Sequence, residues 1–226
     1  MTREQGLVEE LAFWGRVMLD GGGWPEEWKA GFDPELPLQD KFRALLANHS
    51  VGDTVDILDV GAGPATVVGR TWPGRDVLIT PIDPLAVEYG KLLASHGFNP
   101  PVQTIKCAGE GIEGLLPKNF YDVAYARNSL DHSEYPVEII RQMLEAAKPG
   151  GWVYLEHSVR EATKQKYLGL HQWNFFEEKG VFYIEGSGGT TNVSLKFENL
   201  TCYAEAWMEK DNDGRDWVLV KMRRRP

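Results

Sequence analysis

Ile57-Leu58-Asp59-Val60-Gly61-Ala62-Gly63-Pro64-Ala65-Thr66-Val67-Val68-Gly69-Arg70 is the stretch on which the fold turns. An apolar run reaches Asp59, a Gly-Ala-Gly bend follows, and the pattern predicts a helix starting near Ala65. Gly61 and Gly63 let the backbone turn sharply and come within contact distance of a ligand. A plain tight turn would look the same, so the surroundings decide. The next apolar run ends in Ile82-Asp83-Pro84. There an acidic side chain, about twenty residues past the glycines, can accept hydrogen bonds from both hydroxyls of a ribose. Capping a helix ahead of Pro84 is its structural alternative, and the two roles are compatible.

Outward from this centre, short β-branched or aromatic runs recur at 55–60, 77–82, 102–106, 121–126 and 151–155, with helical patterns between most of them. Strands alternating with helices imply parallel pairing in a doubly wound sheet. The clearest helix is 136–147, with Val137, Ile140, Leu144 and Ala147 on one face and Pro149-Gly150-Gly151 stopping it. Upstream, Leu7, Leu11, Trp14 and Met18 mark a helix over 4–19 that Gly21-Gly22-Gly23 ends. Residues 20–37 read as irregular but ordered, because Trp24, Trp28 and Phe32 would otherwise sit in water. A second helix is expected over 38–48. Downstream, Phe182–Ile184 and Val193–Phe197 suggest an inserted hairpin, and 201–209 with 216–223 form two longer strands about Asp211-Asn212-Asp213-Gly214. The expected partition is a helical cap (1–50), a cofactor-binding core (51–160) and an acceptor-side insertion with closing strands (161–226).

Bulk properties exclude several classes. The 226 residues suit one α/β domain. A net charge of −9 argues against a chain whose main task is gripping a phosphate backbone, so no nucleic-acid partner is expected. Arg223-Arg224-Arg225 reads as a solvated strand end. Cys107 and Cys202 stand far apart with no metal-like spacing and imply no disulfide framework. Glu4, Glu9 and Glu10 interrupt the N-terminal apolar positions, which speaks against a signal peptide. No run approaches the ~18 apolar residues of a membrane span. A cytoplasmic protein with no membrane partner is expected; oligomeric state is left open.

From about Val55 to Val159 the chain resembles the class I S-adenosylmethionine-dependent methyltransferases. Asp59-Val60-Gly61-Ala62-Gly63 looks like their first motif and Ile82-Asp83 like their second. Cys107-Ala108-Gly109-Glu110 falls at their adenine loop, Tyr121–Tyr125 at their fourth strand, and Lys148-Pro149-Gly150-Gly151 at the turn before their fifth. Five common elements in order make a specific signal. The resemblance implies a Rossmann-like, seven-stranded, mostly parallel sheet with C-terminal antiparallel strands. It also implies S-adenosylmethionine as cofactor, S-adenosylhomocysteine as product, and a cofactor site at Asp59, Gly61, Ala62, Gly63, Asp83, Pro84, Gly109, Glu110, Arg127 and Asn128. Ala65 replaces the family's third glycine, and Ala108 stands where the adenine loop usually carries Asp. A nicotinamide-dependent oxidoreductase shares the glycine turn and acidic strand end, but Thr66 stands where its third glycine belongs.

Ligands in open α/β sheets lie beyond the carboxyl ends of the strands. Three polar clusters fall there or on the loops that follow: Arg127-Asn128-Ser129-Leu130-Asp131-His132, Glu156-His157, and His171-Gln172-Trp173-Asn174. The sulfonium methyl is already reactive, so the protein must align the nucleophile and, for an alcohol, take its proton. Histidine suits that step because it titrates near neutrality. His132, then His171, then His157 are the candidate bases, with Asp131 or Glu156 orienting an imidazole. Structural roles in capping and backbone bonding compete at each position. The same residues could ligate a divalent ion, but their spacing fits no closed metal motif and no metal is assigned. His49 and His96 sit at helix ends as dipole partners. Trp24, Trp173 and Asn174 are expected at the acceptor, a small hydroxylated metabolite such as a sugar or polysaccharide precursor. The competing reading is a catalytically silent S-adenosylmethionine-binding module.

Overall fold

The computed structural model describes residues 3–22 and 24–226; Gly23, the last of the predicted helix stop, lies outside them. Strand β1 (Thr54–Val60) pairs in parallel with β3 (Arg75–Asp83) and with β5 (Tyr121–Arg127), and β5 pairs in parallel with β6 (Ala147–Ser158). The short β4 (Ile105–Lys106) extends β3 in parallel, while β2 (Thr71–Trp72) folds back on it antiparallel. Antiparallel β11 (Asp216–Arg224) lies between β6 and β10 (Thr201–Lys210). Seven strands thus run β4-β3-β1-β5-β6-β11-β10, with β2 as a small eighth. The reversed β11 distinguishes this sheet from the all-parallel dinucleotide-binding arrangement.

Period-two alternation builds a core on each face of the sheet. Val55, Ile57, Val123 and Tyr125 face Leu38, Phe42 and Leu46, which come from the 36–39 segment and from α3 (Asp40–Leu45) with the residue after it. Leu58, Val60, Ala124 and Ala126 face the opposite core with Ile139, Ile140 and Met143 of α6 (Pro136–Ala146). The N-terminal α1 (Arg3–Asp20) packs against α4 (Ala86–Ser95).

Three expectations are corrected. No helix follows Gly63: residues 61–70 form an irregular loop running into β2. Pro64, the β-branched Val67-Val68 and Gly69 oppose helix there, and the 36–39 segment occupies the space. Leu38 N donates to Thr71 O, Gln39 N to Val68 O, and a Cβ on Gly69 would stand 2.0 Å from Pro37 O. Residues 20–37 hold a short helix, α2 (Pro25–Ala30), started by Pro25 in its first turn. Near residues 181–197 the expected hairpin about Gly186–Gly189 forms from β8 (Val181–Gly186) and β9 (Gly189–Asn192), and β7 (Asn174–Glu178) adds a third strand to make a separate sheet. The predicted strand at 193–197 is instead α8 (Val193–Lys196), capped where the Asn192 side chain accepts from Leu195 N. Two more short helices, α5 (Ile112–Leu115) and α7 (Glu161–Lys164), complete the chain.

Among the described residues, no helix is long and apolar enough to cross a membrane. Both cysteines are free thiols.

Candidate active site

The carboxyl ends of β1, β3, β5 and β6 share one edge, and a cavity of about 1080 Å³ opens above them. Its floor at β1 is the glycine turn. Gly61 and Gly63 have φ of +72° and +64°, the left-handed region that side chains rarely enter. A Cβ on Gly61 would lie 2.3 Å from that of Ser129, and one on Gly63 would lie 3.1 Å from the Trp14 ring. Gly61→Ala should therefore cost about 2–3 kcal/mol from backbone strain and overpacking. Chemical denaturation would read that loss; a variant as stable as the native chain would refute the contact.

Hydrogen bonds lock the turn. Gly61 N and Ala62 N both donate to Ile82 O, and Gly63 N donates to Asp83 Oδ2 at 3.2 Å. The other Asp83 oxygen accepts Leu85 N at 2.8 Å, just ahead of α4, whose N-cap is Leu85 and receives no side-chain cap bond, so the helix-capping alternative is not realised. Asp59 accepts the Thr66 hydroxyl at 2.6 Å. Burial pushes both Asp59 and Asp83 up to about 6, because each carboxylate faces protein rather than water. The amides of residues 61 and 62 are thus spent inside the protein. What the turn offers a ligand is close approach, its carbonyls and Asp83.

Pro84, Gly109, Glu110, Arg127 and Asn128 also line the cavity. Gly109 has no room for a side chain, since a Cβ would stand 2.7 Å from Ile139. The Glu110 carboxylate accepts Glu134 N and Tyr135 N, amides just ahead of α6. Arg127 is paired with Glu27 of α2 and lies over the Trp217 ring. Asn128 has a left-handed φ of +44° and accepts Ser158 N through its side chain. These last two stand toward β6 and β11.

His132 and His171 line the same cavity, and the fold brings them together with Asp131. Asp131 and His132 lie on a 3-10 turn, Leu130–His132, directly after β5; His171 arrives from the segment before β7. His171 Nδ1 stands 2.7 Å from Asp131 Oδ2, and His132 Nε2 stands 3.2 Å from His171 Nδ1. Asp131 is 1% exposed. Burial opposes its charge, but His132 and the His171 hydrogen bond outweigh it and hold the carboxyl below its ordinary value. Burial likewise opposes a charge on His171, yet Asp131 raises it above the usual imidazole range.

Three expected site residues lie elsewhere. His157 is buried, stacks on Phe175 at 4.2 Å and is absent from the cavity wall. Burial pushes it down to about 4. Its place in an inward-facing row of β6 explains this: the strand end carries the ring into the core. Asn174 is buried too, with its amide on Thr163, Tyr167 and Glu185. Trp173 donates to Ser133 O and faces a separate shallow pocket with Tyr135 and Phe197. Trp24 does line the main cavity, beside the Phe13 ring at 6.2 Å. His49 and His96 meet the carbonyls of Leu46 and Leu92 near the ends of α3 and α4.

Several wall residues escaped the sequence reading. Glu10 of α1 accepts the Trp14 indole and lies 3.9 Å from His132 Nδ1, linking the roof to the histidines. Glu161, Lys164, Arg215 and Asp216 also line the cavity. Only the i, i+4 spacing of Glu10 and Trp14 hinted at such a pairing, and no periodicity tells which ligand space a helix covers.

This strand order, with a reversed strand between the last two, is the Rossmann-like fold of the class I methyltransferases. The chain belongs to the methyltransferase domain family, which matches residues 30–187 and whose cofactor is S-adenosylmethionine. It is 28% identical over 165 residues to a tRNA U34 carboxymethyltransferase of Pseudoalteromonas atlantica, covering 72% of this chain and 48% of that protein. It is 33% identical over 101 residues to a ubiquinone biosynthesis O-methyltransferase of Nitrosospira multiformis, covering 44% and 41%. The chain spans about half the length of the curated relatives it matches. Among solved structures it is similar to a Burkholderia thailandensis 1,6-didemethyltoxoflavin-N1-methyltransferase with bound 1,6-didemethyltoxoflavin and S-adenosylhomocysteine. That likeness has a TM-score of 0.51 at 13% identity, over 100% of this chain and 92% of that one.

The residues fit the cofactor. A turn that tolerates no Cβ leaves backbone at contact distance, and Asp83 presents a carboxylate beside it. The cavity exceeds the ~300–1,000 Å³ of a typical single-ligand site, leaving room for an acceptor.

Proposed function

We propose that the chain carries the methyl group of S-adenosylmethionine to a hydroxyl oxygen of a small metabolite, of the sugar or polyol type. The observation that carries this reading is the His132–His171–Asp131 cluster, set on the same cavity wall as the glycine turn. Ser129 packs on Gly61, so the histidine turn begins where the cofactor turn ends. In the reaction the methyl carbon leaves sulfur and bonds to the acceptor oxygen. The sulfonium becomes a neutral thioether, and the hydroxyl proton passes to the cluster. Asp83 and the turn would hold the adenosyl end; Asp131 holds the imidazole that receives the proton. Alignment supplies most of the acceleration, since the methyl is already activated.

The rest of the wall supports a small polar acceptor. Ser158, Glu161, Gln165 and Asp216 offer hydrogen bonds, while Trp24 and Trp217 offer ring faces. The tRNA-acting relatives raise a second reading, RNA as acceptor. Against it stand the net charge of −9 and a wall carrying Glu10, Glu27, Glu110 and Glu161. Incubation with isotopically methyl-labelled S-adenosylmethionine and either a panel of polyols and phenols or total tRNA separates the two. Label should enter small molecules in a base-stable ether; label confined to tRNA would reject the small-molecule reading. No label in any acceptor, despite cofactor binding, would favour the silent binding module.

A further inference from the structure

We infer that Asp131, His132 and His171 form a binding site for one divalent first-row transition-metal ion, open toward the acceptor end of the cavity. The site stands on these three side chains; with an ion on them the imidazoles are its ligands, so the proton-accepting role given to the cluster under the methyl-transfer reading above belongs to its ion-free form. An ion about 2.1 Å from each of three ligands needs them about 3.0–3.4 Å apart. His132 Nε2 and His171 Nδ1 are 3.2 Å apart, His132 Nε2 and Asp131 Oδ2 are 3.5 Å apart, and His171 Nδ1 and Asp131 Oδ2 are 2.7 Å apart. Only the last is shorter than an ion needs, as a proton held between those two atoms would make it. Small side-chain rotations would admit the ion.

A second observation is independent of these distances. Asp131 is 1% exposed, and its Oδ1 is a buried acceptor with no hydrogen-bond partner. A buried carboxylate oxygen left without a donor is costly, and a cation held by this carboxylate would offset that cost. Two imidazoles and one carboxylate on a single face suit zinc, iron, manganese or cobalt better than magnesium or calcium, which prefer oxygen. The remaining positions of such an ion would face the cavity that His132 and His171 line. Glu10, 3.9 Å from His132 Nδ1, stands where an outer partner would fix that ring. The ligands come from two elements forty positions apart, so no local spacing in the chain could announce them.

Chelator-treated protein titrated with Co²⁺ tests this by calorimetry and visible absorption. One equivalent should bind with ligand-field bands, and His132→Ala or His171→Gln should each weaken binding at least about 100-fold, beyond the 10–100-fold of outer-shell changes. No binding by the native protein, or binding that neither variant alters, overturns the site. S-adenosylmethionine titration of the same samples reports folding and separates the two readings. Cobalt bound without cofactor leaves the ion site standing and removes the methyltransferase reading; cofactor bound without cobalt does the reverse. Should both variants fail to fold, pulsed EPR of the native protein with Mn²⁺ decides. Nitrogen coupling from imidazole supports the site, and its absence rejects it.

Discussion

Turnover should fall about 10²–10⁴-fold when His132→Ala is combined with His171→Gln, with cofactor affinity unchanged. That loss corresponds to about 3–5 kcal/mol of transition-state stabilisation. The pair is chosen with the buried Asp131 in mind. His171 Nδ1 is its 2.7 Å partner, and removing every donor would strand a carboxylate in the core. Glutamine leaves a donor within reach, so lost rate would report chemistry rather than unfolding. The cofactor end should not notice, because Asp83 and the glycine turn belong to β3 and β1 while the histidines follow β5 and precede β7. Unchanged kcat with intact binding would reduce the cluster to a structural clasp.

Asp83→Ala should act in the opposite sense, on binding first. A carboxylate accepting ribose hydroxyls contributes about 1.5–3 kcal/mol per charged hydrogen bond, so affinity for S-adenosylmethionine should fall about ten- to more than a hundredfold. The loss should exceed that of a simple deletion because Asp83 also anchors Gly63 N and Leu85 N. A pH signature accompanies it. Burial has raised Asp83 from 3.8 to about 6, so below that pH the free protein holds a proton there. Donated ribose hydroxyls favour the ionised form, and binding then releases the proton. Affinity should therefore rise with pH up to about 6, by as much as tenfold per unit, and level off above about 7. Asp83→Asn should flatten that rise. Calorimetry across pH 5–8 measures both effects; an affinity indifferent to Asp83 and to pH would take this carboxylate out of the site.

The legibility of the site in the chain divides along a physical line. Asp59, Gly61, Gly63 and Asp83 were readable because local geometry sets them: a parallel strand must end in a turn, and a left-handed turn demands glycine. The helix expected after Gly63 does not form, for a non-local reason. A strand–turn pattern normally leads into a helix, but here residues 36–39 cover the face that such a helix would take, with Leu38 and Gln39 bonded to the 68–71 stretch. His157 illustrates the same limit. Its position at a strand end was correct, yet whether it faced the cavity or Phe175 depended on which layer packed against β6.

From the chain alone came the parallel core, the hairpin of the last two strands, the glycine turn and its acidic neighbour, since each follows from periodicity and backbone sterics over a few residues; that the hairpin closes the sheet was implied by the family resemblance. Tertiary structure decided the meeting of His132, His171 and Asp131, the roof that Glu10 and Trp14 form over the turn, and the burial of His157 and Asn174. Those depend on contacts between residues tens to more than a hundred positions apart, and no local preference encodes which of them will meet.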